Sequence, residues 1–412
     1  MLTSPAAVRS IRRELANAAD EQVLRVVALL DQQAVPEAAH AVLDPVRPRL
    51  AQLNPPRPLR FARLLFLPLD PLVVPARDWR PGEAMIPRGV LHAIGRTVHA
   101  ALRPAVSEVD HMIAGRDTSA LDTIAEAGDW LWPRAAEVLT AAPAPVGWAS
   151  TGLPLSLYPA LSKAIAAVLA QARPLTDLVR DGDPLGCATC HDVLRDMLIE
   201  TGAASPEGHD MLIALLLLQV PHATVHLRAL AVAKSGAADP IVARQSIERG
   251  LNTVLLRMED DAGLTAEVRH APLREVRQTV KRVLNLAGDL EADPDAAKYR
   301  PRLHAIKTTL DQACRERFAA SLTDGLRTPL RTAPQPIDRD TQTRFEAQAR
   351  TLRALQAEVR PLGGGRAYDT LMREALDAVM AARASGILTP LRHMRLVEIL
   401  AGPDAAEAVG RP

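Results

Sequence analysis

The chain has 412 residues, 48% hydrophobic, 24% charged and only 3% aromatic, with a formal net charge of +1. This apolar fraction excludes a disordered chain and can fill the cores of about two or three domains or of one extended array. The balanced charge excludes a long-range field that draws in nucleic acid, and the small, aliphatic core residues favour helices over β-sandwiches.

In chain order, the N-terminal residues carry basic side chains but no long apolar run, so a secretory signal is not expected. Three cysteines in a chain this long predict reduced thiols and a cytoplasmic setting. Residues 1–53 read as amphipathic helices, with Val8, Ile11 and Leu15 on one stripe and Val23, Val27 and Leu30 on the next. Between 54 and 88, prolines at 55, 56, 58, 68, 71, 75, 81 and 87 break every regular element. This stretch is expected as an extended, apolar segment packed across helices, or otherwise as an exposed partner-binding hook, with Leu72-Val73-Val74 as its one β-like run. Its apolar residues 61–74, ringed by Arg60, Arg63 and Arg77, also allow peripheral membrane contact, a weaker reading than docking.

Helices resume at Gly89, and residues 141–154, rich in proline, glycine and alanine, read as a linker. Beyond it, helical stripes recur at Leu161/Ile165/Val168/Ala172, Ile247/Leu251/Val254/Met258, Val276/Val280/Val283/Ala287 and Leu303/Ile306/Leu310/Ala313. Residues 211–227 hold no Asp, Glu, Lys or Arg, yet Gln219, Pro221, His222 and His226 interrupt them, so they read as a buried central helix and not as a membrane span. Ser205-Pro206, Asp293-Pro294, Thr328-Pro329 and Thr389-Pro390 are helix starts by their chemistry, as are Ser4-Pro5, Asp44-Pro45, Asp183-Pro184 and Asp239-Pro240. In each, a side-chain oxygen can accept from the first turn while proline occupies a position that needs no donor. The expected architecture is therefore all-α, an irregular solenoid-like or bundled array. It divides into an N-terminal helical region (1–140), the linker (141–154), a central array (155–330) and a C-terminal helical segment packed on it (331–412).

Two sets of residues are candidates for chemistry. Cys187-Ala188-Thr189-Cys190-His191 matches the haem-attachment pattern of c-type cytochromes, but that attachment requires export. With His222 and His226 spaced four apart, Cys187 and Cys190 would instead complete a tetrahedral zinc site. The doublets His191-Asp192 and His209-Asp210, in a helical setting, resemble in residue type the HD-type metal-dependent phosphohydrolases, which implies a metal held by histidines and aspartates. Gly363-Gly364-Gly365-Arg366 lacks the spacing of a phosphate loop and reads as a helix connection, and Cys314, flanked by Leu310 and Phe318, reads as core.

No catalytic set stands out. The sequence is read as a cytoplasmic, non-enzymatic interaction or scaffold protein, without a cofactor, that offers a helical groove to a protein partner near Phe66, Leu67, Trp79 or Trp148. The alternative is a metal-dependent hydrolase or zinc-stabilised helical protein built on residues 187–226.

Overall fold

The computed structural model describes residues 58–181 (except 77 and 119), 188–232, 242–259, 273–332 and 337–410, with a few single positions elsewhere. The amphipathic helices expected over 1–53, and the starts at Ser4-Pro5, Asp44-Pro45, Asp183-Pro184 and Asp239-Pro240, lie outside the described residues. The chain divides into two compact units, a large one (56–260 and 282–306) and a small one (1–55, 261–281 and 307–412). The 141–154 segment falls inside the large unit and does not separate the two.

In the large unit the helices are α1 Phe61–Phe66, α2 Arg88–Ala101, α3 Arg103–Ile113, α4 Leu121–Ala141, α5 Tyr158–Ala170, α6 Ala172–Asp181, α7 Ala188–Ala204, α8 Pro206–Gln219, α9 Ala223–Val232 and α10 Arg244–Glu259. The all-α reading holds. The sheet among the described residues is a two-residue parallel pair, β1 Val73–Val74 against β2 Ile86–Pro87.

The proline-rich segment is docked, and it is helical in its first half and extended only around the two strands. Its first half forms α1 and a 3₁₀ turn over 67–72, because Pro68 and Pro71 fit a short, tight helix that has few donors to lose. Phe61, Leu64, Leu65, Phe66, Leu69, Leu72, Val73 and Val74 are all buried, so these residues are unavailable for membrane contact. Two hydrogen bonds hold the later part on α10. Thr253 Oγ1 donates to Glu83 at 3.0 Å and accepts from the Ala84 amide at 3.4 Å.

Helix α8 forms the centre of this unit, with Met211 to Leu218 buried without a break and α5, α7 and α10 packed against it. A helix apolar on every side has to be surrounded. Close approach is secured by glycine: a Cβ on Gly208 would meet Ala167 Cβ at 2.9 Å, and one on Gly250 would meet Ile213 at 2.7 Å. Ser205 caps α8 by accepting from the Gly208 amide at 3.0 Å, as the sequence predicts.

The expected single helix over 211–227 ends instead at Gln219. Val220 is extended and His222 takes a positive φ of 57°, so the chain turns at Pro221 and restarts as α9. Among the described residues no single helix is long and apolar enough to cross a membrane; only the bent pair 155–170 and 172–180 reaches that length and composition jointly.

Two helices have residues in both units, α11 Leu273–Glu291 and α12 Arg300–Leu322. The small unit continues with α13 Thr328–Thr332, α14 Arg339–Val359, α15 Gly365–Ala384, α16 Pro390–Ala401 and α17 Pro403–Gly410. Its core gathers Phe318, Leu326, Phe345, Leu352, Leu355, Tyr368, Val379 and Leu396. Thr389 caps α16, accepting from the Arg392 amide at 3.5 Å, and Asp338 caps α14, accepting from Thr341 at 2.6 Å.

Asp293-Pro294 opens a 3₁₀ turn over 294–299 that leads into α12. Thr328-Pro329 does open α13, but from within a helical stretch and not from a capped loop. Thr328 is itself helical (φ −65°, ψ −49°), and α12 runs into a π turn over 323–327 in which the Thr328 amide donates to the Thr323 carbonyl. Pro329 has no N–H for the α ladder, and the wider turn accommodates it without ending the helix.

Candidate functional site

Cys187 lies outside the described residues. Cys190 is half-buried in the first turn of α7, and the His191 and His226 rings meet with centroids 5.9 Å apart. His226 is buried on α9. His222 precedes that helix and turns away, its Nδ1 2.8 Å from Asp289 Oδ1. The i, i+4 histidine pair therefore does not share one helix face, because the break at Pro221 removes the first of the two from the helix.

The aspartates of the His-Asp doublets are taken up by arginines. Asp192 pairs with Arg195 at 2.9 Å, one turn along the same helix. Asp210 is held by Arg249 of α10 through bonds of 2.8 and 3.1 Å. The half-buried His209 packs against Gly202, and its Nε2 is buried without a partner. Burial pushes this imidazole below its ordinary value, Asp210 opposing and Arg249 adding to the shift. Among the described residues, no three His, Cys, Asp or Glu side chains gather to hold a metal.

The four residues expected at a partner groove do not form an exposed patch. Phe66 is buried beneath Gly95. Trp148 is buried, its Nε1 donating to the Pro154 carbonyl at 3.2 Å and its ring edge-on to Tyr158 at 5.0 Å. Leu67 and Trp79 are half-buried, and Trp79 Nε1 donates to the Met85 carbonyl at 3.3 Å. These aromatics are core and core-edge groups whose polar atoms close the loops around them, the usual use of a buried indole.

A groove does exist, on the small unit. It lies along α14 beside α16, with a volume of about 600 Å³, lined by Arg350, Arg353, Ala354, Gln356, Ala357, Arg360 and Ile399. On α14 the spacing 350, 353, 354 and 357, continued by Arg360 just past its end, places these residues on one face. The opposite face, with Phe345, Ala349, Leu352 and Val359, is buried in the core. Ala354, Ala357 and Ile399 give a shallow apolar floor between arginine walls.

The walls are braced from below. The buried Gln356 accepts from Arg353 at 2.8 Å and donates to Asp369 at 2.8 Å, and the same Asp369 oxygen accepts from Arg360 at 2.6 Å. The Arg360 guanidinium is the main reason that the Asp369 carboxyl lies below its usual range. Arg350 pairs with Glu346 at 2.8 Å. Arg353 is thus the one wall cation whose described bond is to a neutral group, and it carries uncompensated charge over an apolar floor. Sequence reasoning passed over these arginines because arginine is common throughout the chain. Their recurrence on one α14 face beside alanines was the available signal.

No family profile matches this sequence, and no similar protein was found among curated sequences or solved structures.

Proposed function

We propose that this is a non-enzymatic interaction protein of the cytoplasm, and that the α14–α16 groove receives an acidic, amphipathic helical segment of a protein partner. The observation that carries this reading is Arg353, a charge compensated only by an amide, set between Arg350 and Arg360 over Ala354, Ala357 and Ile399. An apolar floor of small side chains admits a helix at close range, and arginine walls select carboxylates through forked hydrogen bonds.

The test is fluorescence anisotropy with a labelled helical peptide that alternates Glu pairs with Ala-Leu pairs, alongside its Lys-for-Glu counterpart. The acidic peptide should bind and the basic one should not. Arg353→Glu should weaken binding by about tenfold or more, and raising salt should weaken it in the wild type. Equal binding of both peptides, or an unchanged affinity in Arg353→Glu, would overturn the assignment.

A further inference from the structure

The large unit carries a second cleft, unrelated to the α14–α16 groove. Its volume is about 450 Å³, and three elements build it: Arg228 and Ala231 from α9, Arg244, Ile247, Glu248 and Leu251 from α10, and Lys298 and Tyr299 from the 294–299 turn. The α10 residues recur at i, i+3, i+4 and i+7, so one helix face supplies a cation at the mouth and a buried apolar floor of Ile247 and Leu251.

The charges are unequal. Arg228 pairs with Asp293, and Lys298 pairs with Glu248 at 2.8 Å while lying 5.2 Å from the centre of the Tyr299 ring. Arg244 has no ion-pair partner among the described residues, so the cleft holds one cation more than its acids neutralise. The second observation is Tyr299. Only 4% of the residue is exposed, and its buried hydroxyl, beside the Lys298 ammonium, finds no acceptor for its proton. A phenol normally finds an acceptor when buried, and an orphaned donor in a cationic cleft points to an acceptor that arrives with a ligand.

We infer that this cleft binds a small organic phosphate. Arg228, Arg244 and Lys298 approach from three elements and meet the several oxygens of a tetrahedral dianion better than the two coplanar oxygens of a carboxylate. Tyr299 supplies a neutral donor, and the organic body lies on Ile247 and Leu251. The volume is that of a small-molecule pocket and is far more than a bare phosphate ion fills.

Isothermal titration of the full chain with phenyl phosphate, inorganic phosphate and phenol tests this. Phenyl phosphate should bind with a Kd below about 1 mM, more tightly than inorganic phosphate, and phenol should not bind. Arg244→Ala should weaken phenyl phosphate by about tenfold or more and Tyr299→Phe by about fivefold, with unchanged circular dichroism in both. Arg353→Glu, in the other unit's groove, should leave the affinity as it is, which separates this site from the peptide site. Equal affinity for inorganic and phenyl phosphate would overturn the organic ligand. Binding of phenol alone, no binding of phenyl phosphate at about 10 mM, or binding indifferent to both cleft variants would overturn the site.

Discussion

The large unit and the small unit solve the same problem, burying aliphatic side chains on helices, in different ways. The large unit surrounds one helix: α8 is apolar on every side from Met211 to Leu218, and α5 and α10 approach it closely at Gly208 and Gly250. The small unit buries one stripe per helix and admits polar groups into its core. Gln356 braces Arg353 and Asp369, Tyr368 donates to the Asp311 carbonyl at 3.2 Å, and His393 lies 3.1 Å from Met380 sulfur. A wholly surrounded helix leaves little freedom to repack, whereas one-sided helices leave a polar face free to carry a groove such as that on α14.

The largest expected effect tests whether α8 is the unyielding centre. Leu215→Ala removes a side chain enclosed by neighbours that cannot close in and should cost about 3–5 kcal/mol. Leu352→Ala on α14, whose helix has solvent on its other face, should cost nearer 2–3 kcal/mol (about half, at the lower end of the same range). Urea titrations followed by circular dichroism measure both, and equal costs would remove the distinction between the two cores.

A smaller pair of changes has opposite signs. Gly250→Ala would press its new methyl against Ile213, at 2.7 Å, and Leu217, at 3.2 Å, an overpacking cost of about 1–3 kcal/mol that outweighs about 1 kcal/mol of helix propensity. Gly288→Ala on α11 meets nothing within 4 Å and should stabilise by about 0.8–1 kcal/mol. All four tryptophans, at 79, 130, 132 and 148, belong to the large unit, so their emission reports the transition directly. A stable Gly250→Ala protein would mean that α8 and α10 can separate without penalty.

These contacts also show what the sequence can reveal. The apolar run at 211–218 announces a surrounded helix, and Ser205-Pro206 and Thr389-Pro390 mark true starts because the capping oxygen acts within one turn. Cys314, one turn from Leu310 and Phe318, is core as periodicity predicts, and burial together with Asp311 pushes its thiol up to about 12. What was hidden depends on partners distant in sequence. Nothing near Asp210 reveals that Arg249 will occupy it, and nothing near Trp148 shows that the Pro154 carbonyl will take its indole proton. The spacing of His222 and His226 suggested one helix face, but a single positive φ after Pro221 undid it. The groove arginines were visible only once the buried stripe of α14 fixed which face remained outside.

The smallest effect is one of pH, and it distinguishes the units by the group that titrates. In the large unit burial keeps His209 neutral, with a folded value below the ordinary 6.5. Between those two values the unfolded chain binds the extra proton, so stability is complete above about 6.5 and falls as pH drops toward the folded value. One proton's difference is worth about 1.4 kcal/mol per pH unit at most. His209→Phe, which keeps a ring and removes the titration, should therefore lose less stability than the wild type between about pH 7.5 and 5, read by tryptophan emission. In the small unit burial and then Arg383 lower His393 in the same sense, so His393→Phe should flatten the circular dichroism profile over that range. The small unit has a second dependence at lower pH. Burial works against ionised Glu358, but Arg277 and Lys281 hold it below its ordinary 4.5, and Arg360 holds Asp369 below 3.8. Their contribution is present above those ordinary values and is lost as pH falls through the lower folded ones, a loss that Arg277→Met should diminish for Glu358. If His209→Phe followed the wild-type profile throughout, the acid sensitivity of the large unit would not arise from its surrounded core, and the contrast with the small unit would rest on packing alone.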